Sequence, residues 1–103
     1  MSMDSLIPQQ VARLQQSITK ASFSWEQFEL THKDGIDTIV FLTDPSYYFQ
    51  FLNHSLQGLM YRDVYFYYYD AENIERRHWY FGCNSFKDAI AHFDYWIDSL
   101  TKL

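Results

Sequence analysis

The stretch from Tyr61 to Asp70, Tyr-Arg-Asp-Val-Tyr-Phe-Tyr-Tyr-Tyr-Asp, sets the tightest limit on what this chain can fold into. A run so rich in aromatic side chains suits a strand, and a strand sends successive side chains to opposite faces. One parity is Val64, Phe66 and Tyr68; the other is Tyr65, Tyr67 and Tyr69. A sheet with one wet face normally alternates apolar with polar residues. Here both parities carry rings, so one lies in a core and the other is either covered or binds something.

The rest of the chain has to supply that core. With 103 residues there is room for a single domain, 1–103. Aromatic residues make up 20% of it, enough large side chains to stabilise a small fold without disulfides or metal.

Two amphipathic segments flank the aromatic run. Between Ser5 and about Ala21, the residues Ile7, Val11, Leu14, Ile18 and Ala21 recur at spacings that line one side of a helix, with Pro8 in the first turn and Asp4 or Ser5 as cap. Toward the C-terminus Phe86, Ile90, Phe93, Ile97 and Leu100 repeat the pattern, and Ser85 with Asp88 forms a capping-box-like start.

Five strands are predicted between them. The first takes in Phe23, Trp25, Phe28 and Leu30, with an irregularity at Glu26-Gln27 where the alternation changes parity. Lys33-Asp34-Gly35 is a tight turn into Ile36–Thr43, and Asp44-Pro45-Ser46 turns the chain back into Tyr47–Leu52. Asn53 to Met60 breaks the pattern and is expected to be a loop. The tyrosine strand follows, then a polar connection from Asp70 to Glu75, then Arg76–Phe81.

The expected architecture is α+β: a five-stranded antiparallel meander with an N-terminal and a C-terminal helix on one face, in the order α-β-β-β-β-β-α. The predicted inner set is Val40, Leu42, Phe49, Phe51, Val64, Phe66, Tyr68, Trp79 and Phe81. The other face then collects Tyr48, Tyr65, Tyr67, Tyr69, His78 and Tyr80, with Arg76 beside them.

Charge narrows the functional classes. Thirteen acidic residues against eight basic give a net charge of −5, which opposes binding to nucleic acid or to anionic lipid and favours a basic or uncharged partner. The one cysteine, Cys83, excludes an internal disulfide and fits a reducing compartment; with neither a basic start nor a long apolar run after Met1, a cytoplasmic protein is expected.

No enzyme motif stands out. Cys83 lies just before a helix N-terminus with His78 nearby, yet no oxyanion-stabilising pattern accompanies it. His32, His54, His78 and His92 lack the spacing of metal ligands, and the isolated glycines make no phosphate loop, so neither metal nor cofactor is expected. The reading is a small acidic non-enzymatic interaction module, of the adaptor, inhibitor, immunity or chaperone kind. It binds a protein partner or itself through Tyr48, Tyr65, Tyr67, Tyr69, Arg76, His78 and Tyr80. The alternative is a small-molecule binder or enzyme with its pocket between sheet and helices.

Overall fold

The computed structural model describes residues 6–56, 59–83 and 85–103, with side chains at all of these except 53–56 and 59–62. In chain order the elements are α1 (Pro8–Lys20), β1 (Phe28–Lys33), β2 (Ile36–Phe41), β3 (Tyr48–Leu56), β4 (Leu59–Tyr69), β5 (Glu75–Cys83) and α2 (Phe86–Leu100). The five strands form one antiparallel sheet in sequence order, so the α+β meander expected from the periodicities is the fold observed.

Local chemistry sets the boundaries. Pro8 opens α1, where its missing N–H costs nothing, and the Gln10 side chain accepts the Ile7 amide at 3.0 Å. The caps expected of Asp4 and Ser5 lie outside the described residues. After α1, Ser22 adopts a left-handed φ of 68° and a 3-10 turn, Trp25–Gln27, precedes β1. The apolar residues before Phe28 are therefore not strand, as predicted, but a plug: the Phe23 ring packs edge-on against Phe28 at 5.7 Å and Phe41 at 5.6 Å. Asp34 and Gly35 both have positive φ, the two-residue turn whose twist suits a hairpin.

The segment expected as a loop from Asn53 to Met60 is largely strand. Residues 53–56 pair with 59–62, while residues 57 and 58 lie outside the described set. Past Leu52 β3 has lost β2 as a neighbour, so the alternation of a covered sheet no longer governs its sequence.

Both helices cover the same face. Leu14 and Ile18 of α1, with Ile90, Phe93, Trp96, Ile97 and Leu100 of α2, share one core with Ile39, Phe41, Phe49, Phe51, Val64, Phe66 and Tyr68. Phe49 and Phe66 stack at 5.3 Å, Phe93 meets Phe49 edge-on at the same distance, and the Trp96 indole N–H donates to the Tyr67 carbonyl at 3.1 Å. Among the described residues no helix is long and apolar enough to cross a membrane.

Four residues of the predicted inner set stand elsewhere. On β2 the buried parity is Ile39 and Phe41, while Val40 pairs with outward-facing Tyr48 and Leu42, beyond the strand, is exposed. On β5 the inner parity is His78 and Tyr80, and Trp79 and Phe81 face outward. Hydropathy alone misplaces β5 because it is an edge strand at the margin of the helix layer, where α2 covers it with His92 and Tyr95 and amphipathic rings fit best.

Candidate functional site

The uncovered face of the sheet is built by register. Tyr48 sits opposite Tyr67, Gln50 opposite Tyr65, Tyr65 opposite Trp79 and Tyr67 opposite Arg77. These cross-strand pairs join the rings into one surface. Tyr48 lies 5.8 Å from Tyr65 and 6.3 Å from Tyr67; Tyr65 lies 5.4 Å from Trp79, and Trp79 lies 5.4 Å from Phe81. At the other end Tyr69 and Tyr47 close on Tyr67 at 5.5 and 6.0 Å, and the Arg77 guanidinium sits 5.5 Å from the Tyr67 centroid, within cation–π range.

Exposure grades across this surface. Tyr47 is buried and Tyr48, Tyr65, Tyr67 and Tyr69 are half-buried, whereas Trp79 is 42% exposed and Phe81 78% exposed. Both helices lie on the opposite face, so among the described residues neither of them shields these rings.

The face is electrically quiet. The Tyr67 hydroxyl is held well above the usual phenol range by its hydrogen bond to Tyr69 and by burial. Tyr48 is raised by burial and by its bond to Tyr65. Both therefore stay protonated at neutral pH. Among the described residues, the ions projecting from the face are Glu29 and Lys33 on β1 and Glu75 and Arg77 on β5, the last two bridged at 2.7 Å. Asp63 has the same parity but is buried, accepting the Gly82 amide at 2.6 Å.

Of the residues predicted for the site, Tyr48, Tyr65, Tyr67 and Tyr69 share this face. Arg76, His78 and Tyr80 do not: they belong to the helix-covered parity, opposite Tyr68, Phe66 and Val64. The reason is the β4–β5 connection. Asp70 through Ile74 closes as a five-residue loop, Asp70 accepting the Glu72 and Ile74 amides at 3.0 Å and Asn73 taking a φ of 65°. That loop pairs Tyr69 with Glu75, which aligns odd residues with odd ones. Trp79, Phe81 and Arg77 thus join the tyrosines. The Asx-type closure at Asp70 was the signal in the sequence that would have placed them.

Arg76, His78 and Tyr80 serve a second cluster under α2. His78 lies parallel to Tyr68, Tyr80 and Phe66, and Tyr80 stacks on His92 at 3.8 Å. Tyr68 and Tyr95 share a hydroxyl bond of 2.9 Å, and burial with that bond pushes the Tyr68 phenol up to about 12. His78 Nε2 is buried with no hydrogen-bond partner among the described residues. Burial lowers the pKa of both histidines; Arg76 and then His92 lower that of His78 further, while Asp88 partly offsets the effect on His92.

Beside this cluster Tyr80, Cys83, Asp88 and His92 line an open cleft of about 280 Å³. Burial, Asp88 and Asp63 all push the Cys83 thiol up, which is opposite to what a nucleophile needs. Among the described residues no group of His, Cys, Asp and Glu is placed to hold a metal ion. No protein-family model, no curated protein and no solved structure matches this chain.

Proposed function

We propose that this chain is a small, non-enzymatic protein-interaction module that docks a protein partner, or another copy of itself, through the uncovered sheet face bearing Tyr48, Tyr65, Tyr67, Tyr69, Trp79 and Phe81. The observation that carries the reading is the exposure of Trp79 and Phe81 at the margin of a connected ring network that neither helix shelters. Contiguous apolar surface of this kind is uncommon on a monomer without a use for it, and tyrosine and tryptophan are the residues that interface centres favour.

Nucleic acid fits the face poorly, since stacking rings need a cationic track and Arg77 is already bridged to Glu75. A ligand pocket between sheet and helices has less in its favour. Where α2 meets the sheet, the hollow lined by Tyr68, Asp70, Tyr95 and Ser99 is about 120 Å³, and the cleft lined by Tyr80, Cys83, Asp88 and His92 is about 280 Å³ and open to solvent; neither exceeds the roughly 300 Å³ at which small-molecule sites begin. A cytoplasmic setting suits the buried free thiol of Cys83.

Photo-crosslinking in cells tests the reading. A benzoyl-phenylalanine placed at Phe81 should yield discrete protein adducts, and the same probe at Ile7, exposed on the helix side, should not. Equal labelling from both positions, or none from Phe81, overturns it.

A further inference from the structure

We propose that Tyr68 and Tyr95 form a site of oxidative cross-linking, at which one-electron oxidants join β4 to α2 through a dityrosine bond that staples the helix to the core. The pair lies on the helix side of the sheet, away from the rings assigned to docking, so the inference is independent of that reading.

Geometry selects the pair. The two phenol oxygens are 2.9 Å apart and share a hydrogen bond, with ring centroids 6.0 Å apart and planes at 70°. Oxidative coupling of two tyrosines joins the ring carbons next to the oxygens, so a shared hydroxyl bond already holds the reacting positions close together. What remains is a turn of one ring out of the edge-on arrangement. Tyr95 has room for it, being 54% exposed, while Tyr68 is 5% exposed and held parallel to Phe66 and His78.

The same asymmetry gives the electrons a route. An oxidant in solvent meets Tyr95 first and removes one electron as the phenolic proton leaves, producing a phenoxyl radical. Tyr68 then passes its hydroxyl hydrogen atom across the shared bond, which restores the Tyr95 phenol and moves the radical inside. A second oxidant takes an electron and a proton from Tyr95. The two radicals pair their odd electrons in a new carbon–carbon bond, and the hydrogen on each coupled carbon returns to its own oxygen. The tyrosines lose two electrons and two protons in all, and two oxidant equivalents are each reduced by one electron.

No other pair of described tyrosines combines these properties. Tyr80 is exposed as well, yet its hydroxyl faces His78 Nδ1 at 3.5 Å rather than a phenol. Tyr48 with Tyr65 and Tyr67 with Tyr69 share hydroxyl bonds, but all four are half-buried. Tyr68 and Tyr95 are also 27 positions apart, so their bond closes a loop containing β5 and constrains the unfolded chain as a disulfide of that span does.

The experiment is brief illumination of the full chain at low micromolar concentration with tris(bipyridine)ruthenium(II) and persulfate, which generates a one-electron ruthenium(III) oxidant. Dityrosine fluorescence is read in the monomer band, and linked peptides are mapped by mass spectrometry as a pair lighter by two hydrogen atoms. The native chain and Tyr80→Phe should gain a link between Tyr68 and Tyr95, and the purified linked monomer should unfold at a higher urea concentration than the untreated chain. Tyr68→Phe and Tyr95→Phe, each shown to be folded by far-UV circular dichroism, should lose most of the monomer's fluorescence. The proposal is overturned by a native chain that gains no internal link, by a link that maps mainly to Tyr48 and Tyr65, by fluorescence that survives Tyr95→Phe, or by a linked chain that unfolds like the untreated one.

Discussion

Tyr80 of β5 and His92 of α2 stack with centroids 3.8 Å apart and planes 25° apart, and His78 lies nearly parallel to Tyr80 at 4°. The margin of α2 is thus fastened to the edge strand by imidazoles whose partial burial favours the neutral form. His78 is faced by Tyr68 on β4, by Arg76 and Tyr80 on its own strand, and by His92 and Tyr95 on α2. No carboxylate is among them.

Acid should loosen this fastening. Burial depresses both histidines in the folded state, so the unfolded chain binds more protons and stability rises with pH across their range. The contribution is complete above the unfolded histidine value of ~6.5 and is lost as pH falls below it toward the depressed folded values. Urea midpoints measured across a pH series should therefore fall before the carboxylates begin to titrate. His78→Phe should flatten that slope and, by removing an unsatisfied Nε2, raise stability by about 1 kcal/mol at neutral pH. A midpoint that does not move until the carboxylate range would contradict this.

Trp96 ties α2 to the tyrosine strand through one hydrogen bond, its indole N–H to the Tyr67 carbonyl, from a fully buried position. Trp96→Phe keeps most of the packing but removes one donor from the Tyr67 carbonyl, and should cost about 1 kcal/mol in denaturant unfolding. Trp96→Ala, which also leaves a cavity, should cost roughly 3–5 kcal/mol.

Phe66 and Phe81 separate what holds the fold from what the outer surface offers. Phe66→Ala should cost about 3–5 kcal/mol, since the ring is fully buried against Phe49 and His78. Phe81→Ser should change monomer stability by no more than ~0.5 kcal/mol, because the ring is largely in solvent. A large loss at Phe81 under conditions where the chain is monomeric would mean that it supports the sheet itself.

Cys83 should be a slow thiol. Burial together with Asp88 and Asp63 raises its pKa, so little thiolate exists at neutral pH. Alkylation by iodoacetamide should lag behind a free-cysteine standard and approach it only on denaturation. Alkylation faster than the standard would reveal an activated nucleophile and revive an enzymatic reading.

Much of the fold is legible in the sequence because helix periodicity and turn residues are local. Ile7 to Ala21, Asp34-Gly35 and the Ser85 cap all identify themselves within a few residues. The failures are non-local. Which parity of β5 faces the helices depends on the length of the Asp70–Ile74 closure and on α2 bringing His92 and Tyr95 over it, so hydropathy sent Trp79 and Phe81 inward and His78 and Tyr80 outward. Phe23 and Trp25 read as strand because a ring that plugs the end of a sheet looks, in sequence, like one within it. The tyrosine half of the candidate site is legible because β4 carries rings on both faces from Tyr65 to Tyr69.

That double-sided strand also poses a problem of alignment. In most sheets a slip of one residue is forbidden because it drives polar groups into the interior. Moving β4 by one would merely exchange Val64, Phe66 and Tyr68 for Tyr65, Tyr67 and Tyr69, and greasiness would scarcely object. The phenolic oxygens would, since hydroxyls now satisfied by their neighbours would have to be housed beneath α2, where Tyr68 already takes the partner offered by Tyr95. The bulge between Arg62 and Val64, pinned where the Asp63 carboxylate grips the Gly82 amide, adds a latch. Correct threading of this protein is thus proofread by a handful of oxygen atoms rather than by its oil.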